Sequence, residues 1–316
     1  MNSIRWNEQA LQLLDQRKLP HETSWFTADT VEKAAYAIQS MVVRGAPAIA
    51  ITAAYGMAMA VRQGMNRTEA HELLLATRPT AVNLQWALNT LQTIRNEDVL
   101  GVAKQIHQED LEINHRLGDN GAHLLKGNVI TICNTGSLAT GGYGTALGMI
   151  RSAFKKHGDI HVYALETRPY LQGARLTVYE CMEEKIPCTL ITDGMAGALM
   201  QTKEIQAVVF GCDRVARNGD TANKIGSYSL SVLAKHHNIP VYVAMPKSTF
   251  DAQCPNGASI KIEERSPQEV RAVQGHKIAP DDVPVWNPGF DVTPASLINA
   301  WISEEGVTTS PSNLVQ

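Results

Sequence analysis

The stretch Asn128-Val129-Ile130-Thr131-Ile132-Cys133-Asn134-Thr135-Gly136-Ser137 decides the fold, because an apolar, β-branched run ends there in polar residues and glycine. A short run of this kind, closed by a turn-forming residue, is typical of a buried strand. Similar runs recur downstream and alternate with helical segments. The predicted strands cover residues 129–132, 161–165, 189–192, 207–210 and 241–244. Alternation of strands and helices predicts a parallel α/β sheet of the Rossmann-like type.

The chain upstream of this stretch has a different pattern. Its apolar residues are spaced three and four apart, as on one face of a helix. The predicted helices cover residues 31–43, 48–62, 81–94 and 99–117. We therefore predict an α/β protein with a mainly helical N-terminal domain, residues 1–122, and a Rossmann-like catalytic domain with a parallel sheet, residues 123–316.

Composition excludes several classes of function. A net charge of -3, with no dense Lys or Arg run, argues against partners such as nucleic acid or an anionic membrane. No stretch reaches the roughly 18 apolar residues of a membrane span, and the N-terminus has no apolar signal region. Five cysteines without a C-x-x-C pair indicate reduced thiols and a cytoplasmic protein, and ten histidines without ligand spacing predict no metal.

Polar or reactive side chains follow every predicted strand. Cys133 follows the first strand, Glu166 the second, Asp193 the third, Asp213 the fourth and Lys247 the fifth. In open α/β sheets ligands bind beyond the carboxyl ends of the strands. This edge is the predicted site.

The loop after the first strand, residues 136–148, is rich in glycine. It can bring backbone N–H groups close to an anion at a helix start, or it can be only a flexible turn. A dinucleotide fingerprint does not fit well, because Leu147 stands where the third glycine of G-x-G-x-x-G is needed, although Glu166 lies near where a ribose-binding acid belongs. We therefore expect no nicotinamide cofactor, and a fingerprint shifted along the loop is the alternative.

Two residues at this edge can carry chemistry. Cys133 opens the glycine-rich loop, where backbone donors would favour a thiolate, but a lone cysteine at a strand end is also a common buried apolar residue. Asp213 follows an apolar strand, where partial burial would make it a proton donor, but it can equally pair with Arg214 or cap the next segment.

Three cations are candidates for binding an anionic ligand. Arg44 precedes Gly45-Ala46-Pro47 between two predicted helices, so a sharp connection would hold its side chain in a fixed direction. Arg78 stands just before Pro79, and Lys224 lies in a polar loop, residues 218–226, that leads into a helix. The two arginines could clamp a phosphate across to the sheet edge, but each residue can also be an ordinary surface cation.

Taken together, these segments resemble the methylthioribose-1-phosphate isomerases, which share a fold with the regulatory subunits of the eukaryotic translation-initiation guanine-nucleotide exchange factor. The resemblance covers almost the whole chain. It is carried by Ile4-Arg5-Trp6, by residues 14–20, 42–49, 78–84, 133–140, 166–177, 211–214 and 218–226, and by Phe290-Asp291-Val292-Thr293-Pro294.

The resemblance implies a cofactor-independent isomerase that converts 5-methylthioribose 1-phosphate to 5-methylthioribulose 1-phosphate in methionine salvage. It implies that Cys133 stabilises the transition state and that Asp213 donates a proton. The residues that it implies for substrate binding are Arg44, Gly45, Ala46, Arg78, Gln172, Asn223 and Lys224. The chain departs from the family at Cys212, where a small or polar residue is usual, and at Leu165, where an acid is usual.

Two alternatives stay open. One is an isomerase of the same chemistry acting on 5-deoxyribose 1-phosphate or ribose 1,5-bisphosphate. The other is a non-catalytic regulatory subunit, against which the presence of Cys133, Asp213 and both arginines speaks. The only partners expected are the small sugar phosphate and, from the resemblance, a second copy of the chain in a homodimer.

Overall fold

The structure is a computed structural model that describes residues 1–79 and 81–315. Contacts between Cα atoms divide the chain into two compact units. The first contains Met1–His115 and Thr135–Gly144, and the second contains Arg116–Asn134 and Thr145–Gln316. Residues 136–144 of the glycine-rich loop are thus grouped with the helical unit, although the loop comes shortly after a strand of the sheet. The domain boundary at residue 122 stays a prediction.

The first unit begins with a small antiparallel sheet that the sequence pattern did not predict. Its strands pair in the order β1, β2, β3: Ile4–Trp6, Leu11–Leu14 and Trp25–Ala28. These strands have three or four residues each, too few to produce a readable alternation of apolar and polar side chains.

Helices make up most of the first unit. They are α1 Val31–Gln39, α2 Ala46–Gln63, α3 Arg67–Leu75, α4 Val82–Gln92 and α5 Val99–Gly121, the last of which continues into the second unit. Thr30 caps α1 by accepting a hydrogen bond from the backbone N–H of Lys33. Helix α2 is buried from Ala48 to Ala60, so it forms the centre of the helical core. The predicted helical character of this region is confirmed.

The second unit is built on a seven-stranded sheet. Its strands are β4 Gly127–Thr131, β5 Ile160–Leu165, β6 Cys188–Ile191, β7 Ala207–Gly211, β10 Val241–Ala244, β15 Ala300–Ser303 and β16 Gly306–Thr308. Within the described residues they pair in the order β16, β15, β10, β7, β4, β5, β6, and β16 is the antiparallel member. All five predicted strands are present and parallel, which confirms the fold class.

Helices cover both faces of this sheet. They are α6 Ala146–His157, α7 Val178–Glu183, α8 Ala196–Thr202, α9 Ser227–His236 and, outside these layers, the short α10 Gln268–Arg271. Because strand side chains alternate, Val129 packs in one core with Leu147 of α6, whereas Ile130 packs in the other with Leu230 of α9. Across residues 1–79 and 81–315, no helix is both long and apolar enough to cross a membrane.

A second, four-stranded sheet lies in the same unit. Its strands are β8 Arg214–Ala216, β9 Thr221–Lys224, β11 Phe250–Asp251 and β14 Phe290–Thr293, and a two-stranded hairpin is formed by β12 Ala272–Val273 and β13 His276–Lys277. The polar loop predicted for residues 218–226 is wrong in part, because β9 is a strand. It pairs with β14, whose residues come almost seventy positions later, and local sequence does not indicate so distant a partner.

Candidate active site

The two candidate catalytic residues follow neighbouring strands. Cys133 comes two positions after the end of β4 and Asp213 two positions after the end of β7. These strands are adjacent and parallel, with Ile130 opposite Val208. The topology therefore brings both residues to the carboxyl edge of the sheet.

Cys133 has an unusual backbone. It is 6% exposed and has φ of 67°, in the left-handed region that residues with a Cβ atom rarely adopt. Its N–H donates to Thr167 Oγ1 at 2.8 Å, and its carbonyl oxygen accepts from Thr177 Oγ1 at 2.6 Å. Neither threonine was singled out from the sequence.

Asp213 immediately precedes β8 and is exposed, so the partial burial that the sequence predicted for this acid is wrong. Its backbone N–H donates to the carbonyl oxygen of Ala222 at 2.9 Å, which ties it to the start of the four-stranded sheet. The guanidinium of Arg214 lies 3.5 Å from the carboxylate of Asp251. The neighbouring Cys212 donates to or accepts from Thr249 Oγ1 at 3.2 Å, and burial raises the pKa of its thiol to about 12.

Asn223 and Lys224 lie on β9. The Asn223 side chain is buried and donates to Ser227 Oγ at 2.8 Å. Lys224 Nζ donates to the carbonyl oxygen of Gly289 at 2.8 Å and lies 4.1 Å from the ring centre of Phe290. The ammonium is thus held in a defined place on the strand.

The segment after β9 is fixed by an acid that the sequence reasoning did not single out. Asp291 lies opposite Asn223 in β14, and its carboxylate accepts from the N–H groups of Gly226 at 2.7 Å and Tyr228 at 3.1 Å. Burial raises the pKa of Asp291 to about 6. This carboxylate occupies the N-terminus of α9. The only feature of the sequence that could have indicated Asp291 is that it is an acid within an otherwise apolar, β-rich stretch, Phe290–Thr293.

Gln172 precedes a π-helical turn, Gly173–Thr177, that leads into α7. Such turns are rare and are frequent at functional sites. Gln172 is 4% exposed, yet its Oε1 atom has no hydrogen-bond partner among the described residues. A buried acceptor without a partner is unusual in a folded protein, and a ligand that donates to it would satisfy it.

Arg44, Gly45 and Ala46 belong to the first unit, where they connect α1 to α2. Gly45 has φ of 95°, and a Cβ atom on it would lie 2.5 Å from the backbone oxygen of Ala139. The predicted sharp connection is therefore present, and only glycine fits it. Ala46 begins α2, with Pro47 in its first turn.

Arg78 lies between α3 and α4 in the same unit and is partly buried. Its carbonyl oxygen accepts from the N–H of Ala81 at 3.0 Å. Thr80, the third residue of the Arg78-Pro79-Thr80 motif, lies outside the described residues.

The glycine-rich loop is held by two residues of α5. The N–H of Gly141 donates to Asp110 Oδ2 at 2.6 Å, and His107 Nε2 donates to the carbonyl oxygen of Gly141 at 2.9 Å. Burial raises the pKa of Asp110 to about 6 and lowers that of His107. The sequence suggested that the backbone N–H groups of this loop could bind an anion. The N–H of Gly141 instead donates to a side chain of the protein.

In the part of the chain that the structure describes, no group of three or more His, Cys, Asp or Glu side chains could hold a metal ion. All five cysteines are free thiols.

Comparison with known proteins identifies the family to which the sequence is similar. The sequence profile of the initiation factor 2 subunit family matches residues 42–310. The chain is 52% identical to the methylthioribose-1-phosphate isomerase of Alcanivorax borkumensis over 98% of its own length and 94% of that protein.

Two solved structures are similar over 99% of the chain. One is 5-methylthioribose 1-phosphate isomerase from Pyrococcus horikoshii OT3, with a TM-score of 0.92, 39% identity and 94% of that chain covered. The other carries the name translation initiation factor eIF-2B, subunit delta, from A. fulgidus, with a TM-score of 0.90, 42% identity and 97% of that chain covered.

Proposed function

Because this chain belongs to the initiation factor 2 subunit family, we propose that it is the member that isomerises 5-methylthioribose 1-phosphate to 5-methylthioribulose 1-phosphate in methionine salvage. The observation that carries the proposal is 52% identity, over 98% of the chain, to a protein named for this activity. The two candidate residues at the ends of adjacent strands support it with a suitable acid and thiol.

The reaction is an internal oxidation and reduction. One hydrogen moves from C2 of the sugar to C1, so C2 becomes a carbonyl and C1 becomes the carbon of a primary phosphate ester. The bond between C1 and the ring oxygen breaks in the process. Since the phosphate occupies the anomeric position, the ring cannot open spontaneously as an ordinary aldose does, and the ring oxygen needs a proton donor.

Asp213 is the proposed donor. It stands at the carboxyl edge of the sheet, and its backbone is fixed by the hydrogen bond to Ala222. A carboxyl group protonates the leaving ring oxygen as the C1–O bond breaks, and the carboxylate that results recovers its proton from solvent or from the substrate.

Cys133 is proposed to act on the hydrogen that moves. If the hydrogen moves as a proton, the thiolate is the base that removes it from C2. If it moves as a hydride, the sulfur stabilises the charge that develops between C1 and C2. The fixed backbone at Cys133 supports both routes.

The other proposed contacts bind the substrate. Lys224 neutralises phosphate charge, and Asn223 and Gln172 hydrogen-bond the sugar. Arg44, Gly45, Ala46 and Arg78 are the remaining proposed substrate contacts.

The first experiment is turnover of 5-methylthioribose 1-phosphate by the purified chain, without added metal or cofactor. Deuterium that enters the product at C1 from deuterated water indicates proton transfer, and its absence indicates hydride transfer. No turnover of this sugar contradicts the proposal.

Single variants test the two chemical residues. We expect Cys133→Ala and Asp213→Asn to abolish turnover without changing the melting temperature by more than a few degrees. Cys254→Ala, a second buried thiol, and Asp281→Asn, an exposed acid, are matched controls and should keep wild-type activity. Substantial activity in Cys133→Ala or Asp213→Asn removes that residue from the mechanism.

Two other functions compete. The similarity to a chain named as an eIF-2B subunit favours a non-catalytic regulatory subunit as the second candidate. Such a protein would turn over none of the sugars. The related isomerases would prefer 5-deoxyribose 1-phosphate or ribose 1,5-bisphosphate, so relative activity on the three sugars separates them.

We also propose that the protein is cytoplasmic and forms a homodimer. Five free thiols fit a reducing compartment. Tyr228 and Val232 lie four residues apart on α9, and both side chains are exposed, which gives this helix an apolar strip suited to a second copy. Light scattering of the purified chain measures its oligomeric state, and a monomer contradicts the proposed homodimer.

A further inference from the structure

The backbone of Cys133 needs an explanation. With φ of 67°, it adopts a conformation in which the Cβ atom crowds its own backbone, and glycine would adopt this conformation without strain. The proposed chemistry needs a side chain there, so the strain must be held by surrounding contacts. Since φ and ψ set the direction of the Cα–Cβ bond, those contacts also set the point from which the thiol projects.

Two threonine hydroxyls hold the peptide groups of Cys133. Thr167 Oγ1 accepts the N–H of Cys133 at 2.8 Å and donates its own proton to the carbonyl oxygen of Leu165 at 3.0 Å. Thr177 Oγ1 donates to the carbonyl oxygen of Cys133 at 2.6 Å. The N–H and the carbonyl oxygen of Cys133 are therefore each satisfied by the hydroxyl of a different threonine.

Each threonine is itself immobilised. Thr167 and Thr177 are 0% and 1% exposed. The N–H of Thr167 donates to Asp193 Oδ1 at 2.9 Å, which links it to the end of the next strand. Thr177 ends the π-helical turn, whose first residue, Gly173, lies so close to the carbonyl oxygen of Leu165 that a Cβ atom there would overlap it. Both hydroxyls are thus presented from rigid backbone.

We infer that Thr167 and Thr177 are positioning residues, which fix the left-handed backbone of Cys133 and so place its thiol for the reaction. This inference rests on the proposed function for the part that concerns turnover. We call Thr167 and Thr177 together the clamp. The π-helical turn that contains Thr177 follows Gln172 directly, so the clamp also sets the spacing between the thiol and this proposed substrate contact.

The test compares Thr177→Val, which keeps the shape and removes the hydroxyl, with Thr177→Ser, which keeps the hydroxyl. We expect Thr177→Val to lower kcat about 10- to 100-fold with KM changed less than about threefold, and serine to restore most of the rate. Thr52→Val is the matched control, because Thr52 is also fully buried and donates to a backbone carbonyl, that of Ala48, at 2.8 Å. It should keep wild-type kcat.

A second readout needs no substrate. The rate at which iodoacetamide alkylates Cys133, followed by peptide mass analysis, should change at least about threefold in Thr177→Val and stay unchanged in Thr52→Val. Thr167→Val and Thr167→Ser repeat the comparison from the other side of the clamp, should Thr177→Val not fold.

Two results overturn the inference: valine variants with wild-type kcat and alkylation rate, or serine variants as impaired as the valine ones. If the wild-type protein turns over none of the sugars, the proposed function fails, whereas the alkylation rates still decide whether the hydroxyls position the thiol.

Discussion

Two glycines at opposite ends of α2 allow backbone strain to be separated from steric overlap. Gly45 precedes the helix with φ 95° and ψ 135°, and Gly64 follows it with φ 71° and ψ 16°. A Cβ atom on Gly45 would lie 2.5, 2.6 and 2.7 Å from the O, Cα and Cβ atoms of Ala139, whereas a Cβ atom on Gly64 would meet nothing within 4 Å. Alanine at Gly64 therefore adds strain alone, and alanine at Gly45 adds strain and overlap.

The expected losses differ severalfold. Gly64→Ala should lower the free energy of unfolding by about 1 kcal/mol, the usual penalty for a left-handed residue with a side chain. For Gly45→Ala there are two losses: about 1 to 3 kcal/mol from backbone strain and about 1 to 3 kcal/mol from overpacking against Ala139. Together they should lower the free energy of unfolding by roughly 4 kcal/mol. For a unit of about 125 residues, each kcal/mol lowers the melting temperature by roughly 3 to 5 °C.

Thermal unfolding followed by circular dichroism measures both variants. We expect a drop of about 3 to 5 °C for Gly64→Ala and more than about 10 °C for Gly45→Ala. Only Gly45→Ala should also raise KM, because Arg44 and Gly45 are proposed substrate contacts. Equal drops in the two variants would refute the reasoning, since they would mean that Ala139 moves away from the new methyl group without a penalty.

Other predictions concern buried polar groups. Glu180 and Arg151 are 0% and 3% exposed and 2.7 Å apart, so Glu180→Gln should lower the free energy of unfolding by about 3 kcal/mol in urea titrations, whereas the exposed Glu183→Gln should leave it unchanged. Gln172→Leu should raise KM about tenfold without lowering the melting temperature, because the buried Oε1 that it removes has no partner among the described residues; a lower melting temperature with unchanged KM contradicts this. Burial raises the pKa of Asp291 from 3.8 to about 6, so its contribution to stability is complete below pH 3.8 and is lost as the pH rises through 6. Going from pH 7.5 to 5 should therefore stabilise the wild type by about 1 kcal/mol more than Asp291→Asn in urea titrations, and an equal shift in both would contradict the assignment.

The parallel sheet could be predicted from the sequence because each of its central strands is a run of apolar residues that differs from the helical pattern around it. Strand β7, Ala207–Gly211, is buried at every position, so its composition alone indicates a strand inside a covered sheet. The adjacency of β4 and β7 also brought Cys133 and Asp213 to one edge, as the order of polar strand ends had suggested.

The small sheets could not be predicted because their stability comes from distant partners. Strand β9 has only four residues and pairs with β14 through Asn223 and Asp291, among others. Local polarity at residues 218–226 favoured a loop. These residues form a strand because they hydrogen-bond to β14, and a local sequence pattern does not contain that distant segment.

The same reason explains why the clamp was missed. Thr167 and Thr177 act through backbone groups of a residue 34 and 44 positions earlier, so no local spacing marks them. A hydroxyl that bonds a backbone leaves no signature in composition. Only the cysteine could be chosen as a candidate, because a thiol is a reactive group that can be recognised from the residue type.

Three of the residues with a left-handed, strained backbone lie close to the proposed site. Cys133, Thr167 and Leu171 all have positive φ, at 67°, 62° and 64°, and all follow the adjacent strands β4 and β5. Each such residue costs roughly 1 to 2 kcal/mol. Contacts in the same region offset this strain, since Asn134 Nδ2 donates to Glu180 at 2.8 Å and Glu180 in turn pairs with a buried arginine. This buried polar network therefore helps to hold Cys133, through its neighbour, in a backbone conformation that only glycine adopts without strain.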